Sequence, residues 1–319
     1  MNDVLKTPLP GCLIVTGAAD GFANEISRGS PLPIPLTICA TAEEALAQYS
    51  DEKIVFGNPD LVADILPELP MVDWVQSSWA GITPLSAIGY RDYVLTGVKE
   101  VFGPQMSEYV LGYLLAHELR IIERIEHQDS RGWFKTHSGV IEGKRLGIMG
   151  TGSIGRHIAN TAQSFGVQVF GFSLSGRSVA PFEKVFSTGQ LHSFLRGCDY
   201  LVAALPQTEK TDNLLDERAL AKLPEHAYFC NIGRSNVVDD DALIHALKNN
   251  KLAGAGLDVF DVEPIPGDSP LWNTKNLLVT AHIAAISHPS LIVPIFLENY
   301  ERYISKRPLK YVIDLDREY

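Results

Sequence analysis

Short apolar runs alternate along this chain with helix-length segments in which apolar positions recur every third or fourth residue. In the first third, GCLIV, DEKIVFG, MVDWVQSS and YVLTG predict strands, while the AEEALAQY segment and Pro59 to Leu66 predict helices between them. That order suits a parallel sheet covered on both faces. The rhythm restarts at Gly103, where SEYVLGYLLAHELRIIERIEH predicts one long helix and leads through a loop containing Gly and Trp to RLGIMG. VQVFGF, DYLVAAL, AYFCNI, GAGLDVF and LLVTAH follow, so six β-like runs in succession predict a full doubly wound sheet. HSFLRGC, ERALAKLP and DDALIHALKNNK are the helices between them, the last capped by Asp239 or Asp240. Beyond Pro289, IFLENYERYISK predicts a helix and LKYVIDL a terminal strand, and on pattern alone this stretch could belong to either half.

A length of 319 residues implies two domains, and 45% hydrophobic with 20% charged residues supplies apolar material for two cores. The net charge of -11 leaves no broad cationic surface for nucleic acid or anionic lipid. An anionic substrate would therefore need a few local Arg, Lys or backbone N–H groups working against the global field. Cys12, Cys39, Cys198 and Cys230 are scattered, with no C-x-x-C pair and no His at zinc-finger spacing. We therefore expect no metal and no disulfide framework, but free thiols in a reducing cytoplasm. MNDVLKTPLP lacks the basic and apolar regions of a secretory signal. The uncharged stretch from Leu277 to Leu297 is interrupted by His282, His288, Pro289, Ser290 and Pro294, so it predicts a buried strand, a loop and a helix rather than a membrane span.

Gly150-Thr151-Gly152-Ser153-Ile154-Gly155 fits G-x-G-x-x-G. It follows the strand RLGIM, opens a segment with Ile154, Ile158, Ala162 and Phe165 at helical spacing, and precedes VQVFGF, which completes a βαβ unit. Gly150 allows the tight turn, Gly152 lets a pyrophosphate approach the backbone, and Gly155 lets helix and strand pack closely, with Ser153 and Ile154 at the positive helix end. The acid that would bind the 2′-hydroxyl of NAD is absent. Ser173 lies 23 residues after Gly150, and no carboxylate occurs from there to Arg177. Ser173, Ser175 and Arg177 can bind a 2′-phosphate through charge-assisted hydrogen bonds, so NADP(H) is the expected cofactor. The alternative is that Arg177 is a solvated loop residue and that NAD(H) serves as well.

Three polar segments end successive strands of this second half: Asn231-Ile232-Gly233-Arg234-Ser235, Gly256 to Pro264, and Thr280-Ala281-His282-Ile283-Ala284. Their residues, their order and the preceding glycine turn resemble the D-isomer-specific 2-hydroxyacid dehydrogenases over nearly the whole chain, most closely the glyoxylate/hydroxypyruvate reductase branch. The resemblance includes the LVAALPQTEKT segment and the PLW before the last strand. It implies a Rossmann domain over residues 103–288 and a second, smaller flavodoxin-like α/β domain, discontinuous in sequence, formed by residues 1–102 and 289–319 and closing on the substrate.

By that resemblance Arg234 would grip the substrate's carboxylate and carbonyl oxygen, His282 would donate the proton, and Glu263 would orient His282 and favour its charged form. Leu205, Pro206, Thr211 and Ile232 would line the cofactor site. Asp258 would hydrogen-bond the nicotinamide carboxamide, or serve only as a loop cap. Trp79, Ala80 and Gly81, in a turn after a strand, would bind the substrate's carboxylate through backbone N–H groups, with Trp79 shaping the pocket or filling core. His117, His137, His226 and His288 lack such placement and are assigned to structure or surface.

Two positions depart from the family pattern: Ser235 stands for the usual glycine after the arginine and Ala281 for the usual proline before the histidine. The implied activity is hydride transfer from NAD(P)H to a small 2-oxo acid such as glyoxylate or hydroxypyruvate, giving a D-2-hydroxy acid. A bulkier branched-chain or ketopantoate-like oxo acid, and a cofactor-sensing corepressor-like protein, are the competing readings. The long helix from Ser107 suits a two-fold dimer contact or ordinary internal packing.

Overall fold

The computed structural model describes residues 8–315. They divide into two compact units, one running through Val101 and again from Ser287, the other Phe102–Ile286.

In the first unit β1 (Cys12–Val15), α1 (Ala19–Gly29), β2 (Leu36–Cys39), α2 (Ala42–Gln48), β3 (Ile54–Gly57), α3 (Pro59–Ile65), β4 (Trp74–Ser77), α4 (Thr83–Ala87) and β5 (Val94–Thr96) follow in turn. The sheet is parallel throughout in the order β2-β1-β3-β4-β5, which is the flavodoxin-like winding. β1, β3 and β4 are buried along their length, as apolar runs between two helical layers must be, whereas the edge strand β2 is half exposed.

The second unit contains α5 (Gly103–Glu118), α6 (Ile121–Asp129), β6 (Arg145–Met149), α7 (Ser153–Gln163), β7 (Gln168–Phe172), β8 (Lys184–Phe186), α8 (Leu191–Leu195), β9 (Tyr200–Ala203), α9 (Glu217–Leu220), β10 (Tyr228–Asn231), α10 (Asp240–Lys248), β11 (Gly254–Leu257) and β12 (Leu277–Val279). Its seven strands are parallel in the order β12-β11-β10-β9-β6-β7-β8, a doubly wound Rossmann sheet with one strand more than the apolar runs predict. Apolar clusters cover both faces, one around Phe172, Phe229 and Leu243, the other around Val110, Ile158 and Val202. Asp239 is the N-cap of α10, its side chain accepting from the Ala242 N–H.

The predicted single long helix is two. Arg120, at φ 54°, takes the left-handed conformation and breaks the rod between α5 and α6. The apolar periodicity continues across the break and so conceals it. Phe165 lies beyond the end of α7 and is exposed rather than on its buried face.

The chain returns to the first unit as α11 (Pro289–Ile304), whose Phe296 ring stacks on Trp74 at 5.5 Å and lies 5.1 Å from Phe56. The predicted terminal strand reduces to one antiparallel bridge, Thr96 to Val312. Among the described residues no helix is long and apolar enough to cross a membrane. The uncharged stretch is β12, a loop and the first part of α11, and β12 is half-buried rather than buried.

Candidate active site

The glycine turn sits where the winding of the second sheet reverses, because β6 pairs with β7 on one side and β9 on the other. Gly150 has φ 106°, accessible without strain only to glycine, and a Cβ there would run into the carbonyl oxygen of Ala204. A Cβ on Gly155 would overlap the carbonyl oxygen of Gly150, so helix and strand touch at that point. Gly152, the N-cap of α7, faces open space: a Cβ there would meet nothing within 4 Å, and no side chain caps the helix. The first N–H groups of α7 thus point into a space that suits a phosphate. Ser153 and Ile154 form the first turn, Ile154 packing half-buried on the apolar cluster.

Past the end of β7, the Ser173 hydroxyl oxygen accepts from the Gly176 N–H at 3.2 Å and that of Ser175 from the Arg177 N–H at 3.2 Å. Both hydroxyls keep their own proton to donate. Gly176 turns the loop at φ 65°. Arg177 is exposed, and its guanidinium has no partner among the described residues. The turn from Ser173 to Arg177 carries no carboxylate.

Beyond β9, Leu205 packs half-buried on the core and Pro206 is exposed. The Thr211 hydroxyl bonds within its own loop, accepting from Thr208 N–H at 2.9 Å and lying 2.8 Å from the Pro206 carbonyl, so its proton fastens this loop. Ile232 is buried, its N–H on the Ala203 carbonyl.

Arg234, Glu263 and His282 follow the ends of β10, β11 and β12, three adjacent strands. Asn231, fully buried, shapes the first turn: its amide donates to the Arg234 carbonyl at 3.0 Å and accepts from the Gly233 N–H at 3.1 Å. Arg234 is half-buried and spends one N–H on the Gly233 carbonyl at 2.7 Å, which leaves four of its five donors. Burial pushes its guanidinium below the usual range, and the Glu263 carboxylate pulls it back. Glu263 accepts from the Phe260 N–H at 3.0 Å through Oε1 and holds His282 Nδ1 at 2.9 Å through Oε2. A carboxylate only accepts, so Nδ1 carries the proton of that bond and Nε2 has no partner among the described residues. Both side chains are open to solvent, His282 at 49% and Glu263 at 37%.

Asp258 is 2% exposed and bonds to the loop that carries His282. Ser235 opens a single 3-10 turn after Arg234, and Ala281 is exposed before the histidine, so neither departure displaces a polar group.

In the first unit Trp79, Ala80 and Gly81 follow β4 in an exposed turn. Trp79 is 37% exposed and fills no core. Its N–H is committed to the Ser77 hydroxyl at 3.0 Å, while those of Ala80 and Gly81 have no partner among the described residues. Of the other histidines, His226 pairs with Asp199 at 2.7 Å and His117 lies against the Tyr228 ring. The sequence reading assigns no role to Asn231, Thr280 or Tyr109. The first two are polar residues at or just past the end of an apolar run, but the partners of Thr280 lie in distant segments and only burial marks Asn231.

A profile described as "D-isomer specific 2-hydroxyacid dehydrogenase, NAD binding domain" matches residues 111–284. Glyoxylate/hydroxypyruvate reductase A of Klebsiella pneumoniae (strain 342) is 30% identical over 217 residues, 68% of this chain and 70% of that protein. The crystal structure of a D-isomer specific 2-hydroxyacid dehydrogenase family protein from Aeromonas salmonicida matches with TM-score 0.92 and 35% identity, covering 97% of this chain and 100% of that one. The NADPH-dependent glyoxylate/hydroxypyruvate reductase of Sinorhizobium meliloti, in complex with NADP and sulfate, matches with TM-score 0.84 and 25% identity over 97% of this chain and 100% of that one. The protein belongs to the D-isomer-specific 2-hydroxyacid dehydrogenases, a family of NAD(P)-dependent oxidoreductases.

Proposed function

We propose that the protein reduces a small 2-oxo acid, glyoxylate, hydroxypyruvate or one of similar size, to the D-2-hydroxy acid, with NADPH preferred to NADH. The observation that carries this reading is the His282 Nδ1 to Glu263 Oε2 bond of 2.9 Å beside a half-buried Arg234 that keeps four free donors. When bound, the dinucleotide would supply the hydride for the carbonyl carbon, whose oxygen would then gain negative charge. A fixed cation and a proton donor must stand beside that oxygen. Arg234 is the cation, and its planar fork also matches a carboxylate. His282 donates from Nε2 while Glu263 holds Nδ1 and with it the ring's orientation; in the reverse direction the neutral ring accepts the proton. In the first unit, the free N–H groups of Ala80 and Gly81 suit a carboxylate oxygen, a short-range device that works despite the net charge of -11.

The cofactor would lie with its pyrophosphate on the N-terminus of α7. The open face of Gly152 supports that fit, and the unpartnered Arg177 and the hydroxyl protons of Ser173 and Ser175 support a 2′-phosphate. We assign Leu205, Pro206, Thr211 and Ile232 to the walls of the same site, and Asp258 to the nicotinamide end. The protein acts as a cytoplasmic homodimer in this reading. Four free, buried cysteines suit a reducing compartment, and α6, with no buried residue and with Ile121, Ile122 and Ile125 exposed, suits a subunit contact.

The test is steady-state kinetics with NADPH and NADH against glyoxylate, hydroxypyruvate, pyruvate and 2-oxoisovalerate. The highest kcat/KM is expected for glyoxylate or hydroxypyruvate with NADPH. Preference for the branched acid would move the assignment to a bulkier substrate, and no turnover of any of them would favour a binding protein.

A further inference from the structure

Three consecutive backbone N–H groups converge on Asp258. The His282 N–H donates to its carbonyl oxygen at 2.8 Å, the Ile283 N–H to Oδ1 at 2.9 Å and the Ala284 N–H to Oδ2 at 2.9 Å. Such a run of amides makes a concavity for an anion, and here the chain's own carboxylate fills it. The wrapping requires His282 to adopt φ 54°, a left-handed conformation that is costly for a residue with a Cβ and persists only where its surroundings hold it. The orientation of the imidazole therefore depends on Asp258 as well as on Glu263.

The carboxylate is itself held. Thr280 Oγ1 lies 2.6 Å from Asp258 Oδ1 and 2.6 Å from the Tyr109 hydroxyl. Because a carboxylate only accepts, Thr280 spends its single proton on Asp258, and Tyr109 must donate to Thr280. The chain of donors thus runs one way, from the phenol on α5 through the hydroxyl at the end of β12 to the carboxylate at the end of β11. Tyr109 is fixed by stacking on Tyr113, with ring centroids 4.5 Å apart. Burial also pushes its phenol upward, so it stays a donor.

We infer that Tyr109 and Thr280 are positioning residues for the proton donor, acting through Asp258 on the backbone of His282. This rests on reading His282 as the proton donor. With Oδ1 carrying two hydrogen bonds and Oδ2 one, the carboxylate keeps one acceptor site on Oδ2 for a carboxamide, so holding the loop and meeting a nicotinamide are compatible.

The experiment compares Thr280→Val, which keeps the shape and removes the hydroxyl, with Thr280→Ser, which keeps the hydroxyl. The best substrate of the oxo-acid panel is used, and NADPH affinity is measured separately by fluorescence titration. Misplacing a proton donor by a fraction of an ångström costs a large factor in rate, so kcat of T280V should fall by about 10- to 100-fold. The dissociation constant for NADPH should stay within about twofold, and T280S should recover most of the rate, since its hydroxyl restores the bond. Tyr109→Phe leaves the Thr280–Asp258 bond in place and should lower kcat by a smaller factor; it serves as the second variant should T280V fail to fold. In the double variant with His282→Asn, T280V should add no further loss. Wild-type kcat in folded T280V or Y109F, an equal fall in T280S, or a loss of NADPH affinity matching the loss of rate would overturn the inference. Full turnover by H282N alone would instead overturn the role of His282 on which it rests.

Discussion

Replacing Arg177 by alanine separates the two cofactors, and the structure sets the size of the effect. The guanidinium has no partner among the described residues, so its removal breaks no ion pair and leaves no charge stranded. The turn keeps its shape, because the bonds that hold it run from the Gly176 and Arg177 N–H groups to the serine hydroxyls. What is lost is one interaction with a 2′-phosphate. A hydrogen bond to a charged group contributes about 1.5–3 kcal/mol when sheltered, and an exposed ion pair about 0.2–1 kcal/mol. Arg177 is exposed but would face a doubly charged phosphate flanked by two hydroxyls, which places it between these limits, at about 1–2 kcal/mol. That corresponds to about 5- to 30-fold in kcat/KM for NADPH. NADH carries only a neutral 2′-hydroxyl at that position, which offers no charge to the guanidinium, and its kcat/KM should change by less than about twofold. The assay is the decrease in absorbance of each reduced cofactor at saturating oxo acid, over a range of cofactor concentrations. An equal fall for NADH and NADPH, or none for either, would refute the assignment of the cofactor preference to this turn.

Three further outcomes follow from the geometry. Arg234→Lys should lower kcat/KM by about 100-fold or more, because an ammonium lacks the fork; an unchanged KM and kcat would remove Arg234 from the site. Gly155→Ala drives a Cβ into the Gly150 carbonyl, which is backbone and cannot step aside, so the midpoint of denaturant unfolding should fall by the equivalent of about 1–3 kcal/mol, and an unmoved midpoint would contradict the close contact. The third concerns Asp240, whose carboxyl is pushed up to about 6 by burial and then by the charges of Asp261, Asp239 and Asp241. The folded protein therefore holds that proton to higher pH than the unfolded chain, and stability present near pH 4 is lost as pH rises through about 6. Asp240→Asn should be more stable than the parent at pH 7.5 by about 1–2 kcal/mol, allowing for the partial exposure of the side chain, with no advantage at pH 4. A difference independent of pH would contradict the sign.

The second sheet was legible because its central strands β9, β10 and β11 are buried along their length and read as apolar runs, and because the glycine turn marks where its winding reverses. The strands that escaped are edge strands. β2, LTIC, follows a proline-rich stretch and is half exposed, and β8 has only three residues. α1 was hidden by two glycines and a sparse apolar face of Phe22, Ala23 and Ile26. Arg234, Glu263 and His282 could be picked out because each is a reactive type at a strand end. Thr280 and Tyr109 could not, since a bond between residues 171 positions apart leaves no local trace. Asn231 holds the arginine turn through its own neighbours, but only burial distinguishes it from any asparagine beside a glycine.

The way α11 closes the first unit has a consequence for synthesis. Phe296 seals the rings of Phe56 and Trp74, and the Tyr300 hydroxyl caps the Pro10 carbonyl at 2.8 Å. The segment between Phe102 and Ile286 can complete its own sheet while the ribosome is still at work, but the lobe begun before it must wait with an aromatic face uncovered until α11 emerges. Premature termination before α11 would thus leave one finished lobe tethered to an oily, half-built one, a form that chaperones would be expected to hold.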